Sequence, residues 1–254
     1  MANPVKEKIA RGEPTYGTML AEMISPSIPQ ILKNAGYDWF VVDCEHFGAD
    51  LRGCAMMIRC AREIGLPIFF RNSLTVQQML SKLLDLGATG FVIPNVESVA
   101  QAREIIRWTK YPPLGGRGRG YMMGCEDYRT GLTPELLAEA NQETMIAVQI
   151  ETAAGVENCQ QIFAVEGIEA CFVGPADLSV SMGIPGQADN PQLTQSVEKV
   201  FRAAAAEGIA PGIHVQSVED ARYWVERGGL FMCYSYDIGM IYETSRAALE
   251  QLRR

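Results

Sequence analysis

The sequence predicts an eight-stranded parallel α/β barrel, and three observations predict it. Short apolar runs alternate with helix-like apolar spacing nearly end to end, about eight times. The runs are continuously apolar rather than alternating, as in Trp39–Asp43 (WFVVD), which is the pattern of strands buried on both faces. Most runs also stop at a polar or charged residue, and in parallel α/β units ligands gather outside the carboxyl ends of the strands. Together these describe a (β/α)8 TIM barrel, with residues 1–254 forming one catalytic domain. The competing architecture is an open doubly wound sheet, but no GxGxxG follows the first strand. The string GGRGRG at Gly115–Gly120 lacks the strand-turn-helix setting of a nucleotide loop.

In order, Thr15–Leu20 is the first strand, and Ile28–Ala35 is a helix ended by Asn34-Ala35-Gly36. The strand Trp39–Asp43 runs into Cys44-Glu45-His46-Phe47-Gly48, and Leu51–Ile64 is helix. Pro67–Phe70 is a strand ending at Arg71-Asn72, and Val76–Leu86 is a helix closed by Gly87. Gly90–Ile93 is a strand ending at Pro94-Asn95, followed by the helix Val99–Thr109. The pattern then breaks. Tyr111–Thr133 holds Pro, Gly, Arg and aromatics without a period, and a long loop inside a compact domain is usually functional. A helix restarts at Pro134–Ala140. Met145–Ile150 is a strand that stops at Glu151, Thr152–Val165 is helix, and Ala170–Val173 is a strand that stops at Gly174-Pro175-Ala176-Asp177. Pro191–Glu207 is helix, Ile209–His214 strand, Val218–Arg227 helix, Leu230–Tyr234 strand, and Asp237–Leu252 the last helix.

Composition narrows the function. A chain with 48% hydrophobic and 20% charged residues can bury a full core unaided. The formal net charge of −8 argues against nucleic acid or an acidic membrane as partner. Seven cysteines without a CxxC read as free thiols in a reducing cytoplasm, with Cys171 and Cys233 as small hydrophobes of buried strands. Cys44 lies near the strand ends but lacks an evident activating partner. The start of the chain has no apolar signal-peptide core, and no apolar run is long enough to span a bilayer. All six lysines fall in the N-terminal tail, in helices or at a helix end, which disfavours Schiff-base chemistry. The loops after the seventh and eighth strands lack a Gly-rich cradle, which disfavours a phosphorylated substrate.

The strand ends collect Asp43, Glu45, His46, Arg71, Asn95, Gln149, Glu151, Asp177 and His214 at one mouth. Glu151 and Asp177 end consecutive strands about 4.8 Å apart, so both carboxylates can reach one hard divalent cation. The same two residues also fit as plain helix N-caps. Gln149 points the same way as Glu151 because side chains alternate along a strand. Backbone N–H groups at the start of the helix near Asp177 can hold an anion. His46, beside two carboxylates in sequence, suits a base of near-neutral pKa, with a packing histidine as the alternative. Arg71 suits a developing oxyanion, and equally a structural ion pair. An ion chelating a keto oxygen and a carboxylate, a guanidinium and a base together suit making or breaking a carbon–carbon bond next to an α-keto acid.

Through Asp43-Cys-Glu-His46, Arg71, the Tyr-Pro-Pro…Arg117-Gly118 segment, Gln149-Ile-Glu151 and Gly174-Pro-Ala-Asp-Leu-Ser179, the chain resembles the HpcH/HpaI aldolases. These are metal-dependent class II pyruvate aldolases, including 4-hydroxy-2-oxoheptanedioate and 2-keto-3-deoxy-sugar-acid aldolases. The resemblance implies a TIM barrel, a bound Mg²⁺, Mn²⁺ or Co²⁺, and release of pyruvate or a related keto acid from a 4-hydroxy-2-keto acid, with an aldehyde as the other product. It implies homo-oligomers, commonly hexamers made of three dimers that exchange the last helix. It assigns Glu151 and Asp177 to the metal, and Gln149 with the Ala176 and Asp177 amides to the keto acid. Arg71 is assigned to the enolate, His46 with Asp43 to proton transfer, and Glu45 to the metal's water shell. Three positions depart from the family: Met19 where Trp is common, and Arg119 and His214 where apolar residues are common. Arg119 and His214 are expected to read an acidic or polar group on the second substrate. Other metal-enolate reactions on this scaffold are oxaloacetate decarboxylation, macrophomate-synthase-like chemistry and CoA-ester lysis. A keto-acid-binding barrel without turnover is the reading from a different class.

Overall fold

A computed structural model describes residues 3–72, 77–131 and 133–254 of the chain. Eight strands close into a barrel in sequence order: β1 Thr15–Leu20, β2 Trp39–Asp43, β3 Ile68–Arg71, β4 Gly90–Ile93, β5 Met145–Ile150, β6 Ala170–Val173, β7 Gly212–Val215 and β8 Phe231–Tyr236. Every neighbouring pair is parallel, including the β1–β8 pair that closes the ring. This is the predicted TIM barrel.

Helix α1, Pro4–Ala10, precedes β1. Around the barrel follow α2 Ile28–Ala35, α3 Leu51–Glu63, α4 Gln77–Leu86, α5 Val99–Thr109, α6 Pro134–Glu143, α7 Ala153–Phe163, α8 Pro175–Ser181, α9 Pro191–Ala206, α10 Val218–Val225 and α11 Asp237–Leu252. The expected start of α4 at Val76 lies outside the described residues. Most other boundaries agree within a few residues, because apolar runs and capping residues mark both ends. Asp50, Ser98, Thr133, Thr152 and Ser217 each accept a hydrogen bond from a first-turn N–H of the helix they precede.

The core has two layers, set by the alternation of side chains along each strand. Outward-facing residues pack under the helices, with Phe40, Val42, Phe70, Ile146, Val148 and Cys171 all fully buried. Inward-facing residues fill the barrel, and its base is aromatic. Trp39 stacks on Phe231 at 4.0 Å, and Phe69 meets both rings edge-on. The stack requires Gly17 on the adjacent strand, where an added Cβ would fall 2.2 Å from the Trp39 ring.

Helix α1 corrects the reading of the first residues as a tail. Asn3 caps it, Pro4 opens it, and Val5 is buried in the barrel-interior cluster. Lys6 and the buried Lys110 both bind Glu169 Oε1, at 2.8 and 2.9 Å, fixing this end of the barrel.

Candidate active site

The alternation that packs the base also builds the mouth. Along β2, Trp39 and Val41 face inward, so Asp43 does too. Along β3, Phe69 is followed by Arg71 on the same face; on β5, Met145 and Ala147 are followed by Gln149; on β7, Gly212 is followed by His214. Two residues further along each of these strands than the last inward-facing apolar or glycine position, the interior therefore becomes polar.

Asp43 and Arg71 are register partners on adjacent strands. The carboxylate is fully buried and takes a bidentate pair from the guanidinium, with Nε to Oδ1 at 3.0 Å and Nη2 to Oδ2 at 2.6 Å. The Glu45 N–H also donates to Asp43 Oδ1, at 3.0 Å. This modifies the expected pairing of Asp43 with His46. Both Asp43 oxygens serve Arg71, and the carboxylate within ion-pair distance of His46 is Glu45, 3.7 Å from Nε2. His46 is exposed at the rim.

Glu151 is buried and held by two donors, the Asn95 N–H to Oε1 at 2.7 Å and the Gln149 side-chain amide to Oε2. Asn95 also donates its side-chain amide to Glu45 Oε1 at 3.3 Å, so it bridges two carboxylates. It adopts a left-handed backbone, with φ of 56°. Sequence reading placed Asn95 at a strand end without a role; the only signal was its position just after Pro94.

The carboxylates feel one another. Burial pushes Glu151 up to about 7; the Asn95 N–H opposes this, while Glu45 and Asp177 push it further. Burial also raises Glu45, against the opposing pull of Arg71 and His46, with Asp43 and Asp177 adding to the rise. Two acceptor atoms here have no hydrogen-bond partner among the described residues, Glu45 Oε2 and Gln149 Oε1. Gly174 leaves room for this arrangement, because a Cβ there would lie 3.0 Å from both Gln149 Nε2 and Glu151 Oε2. Asp177 and Ala176 stand exposed in the first turn of α8, where backbone N–H groups have no intrahelical acceptor.

Arg71, Gln149, Ala176, Asp177 and His214 line one cavity of about 500 Å³. His214 Nε2–H donates to the Ser235 backbone oxygen at 3.1 Å, and the ring lies over Phe172 with centroids 6.4 Å apart. Burial, aided by the Arg71 charge, lowers its pKa to about 4. It is a neutral wall near pH 7.

Arg119 is not brought to this cavity. The loop that carries it follows α5 and precedes β5, so it lies at the amino ends of the strands. The Arg119 guanidinium forms a bidentate pair with Glu126, at 2.9 and 2.7 Å, and also donates to the Gly131 carbonyl. The expectation that Arg119 and His214 share one mouth is thus corrected by topology. Arg117 is held at that same far end by Asp85 at 2.7 Å and by the Tyr111 ring. Cys44 lies 3.9 Å from Cys54, whose proximity, together with burial, raises the Cys44 thiol well above its ordinary range.

A family model described as HpcH/HpaI aldolase/citrate lyase matches residues 19–243. The chain belongs to the HpcH/HpaI family. It is 33% identical over 252 residues to a hydroxypyruvate/pyruvate aldolase of Delftia acidovorans, covering 99% of this chain and 93% of that one. It is 31% identical over 247 residues to a 4-hydroxy-2-oxo-heptane-1,7-dioate aldolase of Escherichia coli, covering 97% and 94%. Its fold matches the crystal structure of an HpcH/HpaI aldolase from Desulfitobacterium hafniense with a TM-score of 0.95 at 34% identity, covering 100% and 98%. This chain is accordingly an enzyme of a lyase family. Among the described residues no helix is long and apolar enough to cross a membrane.

The donor set at the mouth fits a hard divalent ion. Its groups are carboxylate and amide oxygens, the carboxylates repel one another when ionised, and two of the oxygens lack hydrogen-bond partners among the described residues. Among the described residues no three His, Cys, Asp or Glu side chains converge as a ready metal cage. Two protein carboxylates with water and substrate oxygens completing the shell is therefore the arrangement these residues allow.

Proposed function

We propose that this HpcH/HpaI enzyme is a divalent-metal-dependent aldolase. It cleaves, and in reverse forms, 4-hydroxy-2-keto acids, giving pyruvate or a related short keto acid plus an aldehyde. The observation that carries this reading is the buried Asp43–Arg71 pair, with Arg71 and Asp177 lining one cavity and Glu45, Glu151 and Asp177 close enough to repel one another.

Glu151 and Asp177 are the side chains that would hold the Mg²⁺, Mn²⁺ or Co²⁺ ion. Such an ion, when bound, supplies Lewis-acid stabilisation of negative charge on a keto oxygen. Gln149 and the Ala176 and Asp177 amides orient the keto acid. Asp43 fixes Arg71 so that its charge faces the cavity without reorganising, and that charge favours the enolate left when the C3–C4 bond breaks. Through water, His46 takes the proton of the C4 hydroxyl as the aldehyde departs, and the proton returns to C3 to give pyruvate. Glu45, 3.7 Å from His46 Nε2, orients the ring and the water between them.

The protein is also proposed to act on small molecules in the cytoplasm, without nucleic-acid or membrane partners, as a homo-oligomer. The support for an oligomer is α11. Of its sixteen residues only Asp237 is buried, while Ile238, Ile241, Tyr242, Leu249 and Leu252 are exposed. A hexamer of three dimers exchanging this helix would cover them.

The test is pyruvate release from a panel of 4-hydroxy-2-keto acids, with EDTA and with each metal restored. Chelation is expected to abolish turnover, and Glu151→Gln is expected to resist rescue by metal. Oxaloacetate decarboxylation and acyl-CoA cleavage measured alongside separate the other enolate chemistries. Full turnover in metal-stripped protein would sink the proposal.

A further inference from the structure

The cavity extends well beyond the space a three-carbon keto acid fills. From Phe172 and His214 an arm runs outward between α8, α9 and α10. Its floor is apolar, with Leu193, Val197 and Trp224 buried beneath it. Thr194 and Gln216 offer neutral hydrogen-bonding groups along it. Asp189 and Asp220 stand exposed at its rim, and Asp220 is held by the Ser217 hydroxyl at 2.7 Å.

The charges decide what the arm can accept. Among the described side chains lining this cavity, Arg71 is the one cation, against Asp177, Asp189 and Asp220. Arg71 is bound by Asp43 at the inner end. Arg119, the other guanidinium that could have read a carboxylate, is paired with Glu126 at the opposite end of the barrel. A carboxylated aldehyde would therefore place its second negative charge among acids with no cation to meet it.

We propose that the aldehyde half of the substrate is uncharged and hydroxylated. Its hydroxyls bind Thr194 and Gln216, and Asp189 and Asp220 select against a carboxylated aldehyde. This rests on the aldolase reading and names the substrate class of that site.

The experiment measures kcat/KM for pyruvate addition to glyceraldehyde and to succinic semialdehyde, in the native enzyme and in Asp189→Asn/Asp220→Asn. Deuterium exchange at the pyruvate methyl group is followed in the native enzyme with Mg²⁺, Mn²⁺ or Co²⁺. The native enzyme is expected to favour glyceraldehyde at least tenfold, about the product of two such repulsions. The double variant is expected to narrow that ratio by roughly threefold per charge removed, the repulsion of unit charges about 7 Å apart in water. Thr194→Val is expected to raise KM for glyceraldehyde while leaving that for propionaldehyde little changed. Methyl exchange together with a native preference for succinic semialdehyde, or with a ratio the acid substitutions do not move, overturns the selectivity alone. Equal KM effects of Thr194→Val on both aldehydes overturn the hydroxyl contact. Absence of methyl exchange overturns the aldolase reading and this inference together.

Discussion

Replacing Asp43 by Asn keeps the side chain's shape and removes its charge. Asp43 is fully buried, and Arg71 gives it two hydrogen bonds, at 3.0 and 2.6 Å. Removing one partner of a buried ion pair costs about 3–5 kcal/mol, because the other charge is left uncompensated. Glu45 tempers this loss. Its Oε2 lies 3.5 Å from Arg71 Nε, and Asp43 is one of the groups now raising its pKa, so loss of that charge favours ionised Glu45 as a substitute partner. The asparagine oxygen also retains one acceptor. The net cost is expected to be about 2–3 kcal/mol. For a chain of this size that lowers the melting temperature by roughly 4–12 °C. The assay is thermal unfolding by circular dichroism near neutral pH, paired with deuterium exchange at the pyruvate methyl group. Exchange should slow by on the order of a hundredfold, since an Arg71 no longer clamped must reorganise around the enolate. An unchanged melting temperature together with native exchange would show that Asp43 does not position Arg71.

Two further predictions concern the same layer. His214 has a folded pKa of about 4 against an ordinary 6.5. Between those values the unfolded chain takes up a proton and the folded one does not, so stability is lost as pH falls from 6.5 towards 4. The full gap is worth about 3.4 kcal/mol, and because the ring is only half-buried, screening brings this to roughly 2 kcal/mol. His214→Asn should flatten that acid limb in urea titrations, and an equally steep limb in the variant would refute the assignment. Gly174→Ala would push a methyl against Gln149 Nε2 and Glu151 Oε2, each 3.0 Å from the built Cβ. It should fold with a loss of about 1–3 kcal/mol but lose the stabilisation that Mg²⁺ is expected to give the native enzyme. An intact Mg²⁺-induced thermal shift would place the ion elsewhere.

The fold was legible because strands and helices announce themselves locally. Trp39–Asp43, Gly90–Ile93, Met145–Ile150 and Ala170–Val173 are predominantly apolar runs, and the structure has strands at those bounds. Helix α1 escaped notice although Asn3-Pro4 is a helix-start signal, because seven residues with one buried side chain carry too little periodicity. The site was legible as a set of strand ends, since the turn from apolar to polar at each end is visible in the sequence. Its pairings were not. Asp43 and Arg71 are 28 residues apart and meet only through the β2–β3 register. Arg119 was misplaced for a topological reason. A loop after a helix returns to the amino ends of the strands, however functional its composition looks, and Glu126, seven residues on, takes up its charge.

The layering also supports the proposal that a cation binds at this mouth. Below it the barrel is packed with Trp39, Phe69, Phe172 and Phe231, so the groups above stand on a floor that offers no hydrogen bonds and little dielectric screening. Arg71 is the cation among the described residues lining the cavity, and Asp43 takes both of its bonds. Glu45 and Asp177 add to the burial that raises Glu151 to about 7, and Asp43 and Asp177 add to the burial that raises Glu45. A neutral ligand relieves none of that repulsion. A second basic side chain would relieve it permanently but would occupy the space the keto acid needs. An exchangeable dication would relieve it while keeping coordination positions open to substrate, so on the proposed reading two carboxylates short of a full cage suit turnover better than a closed metal site would.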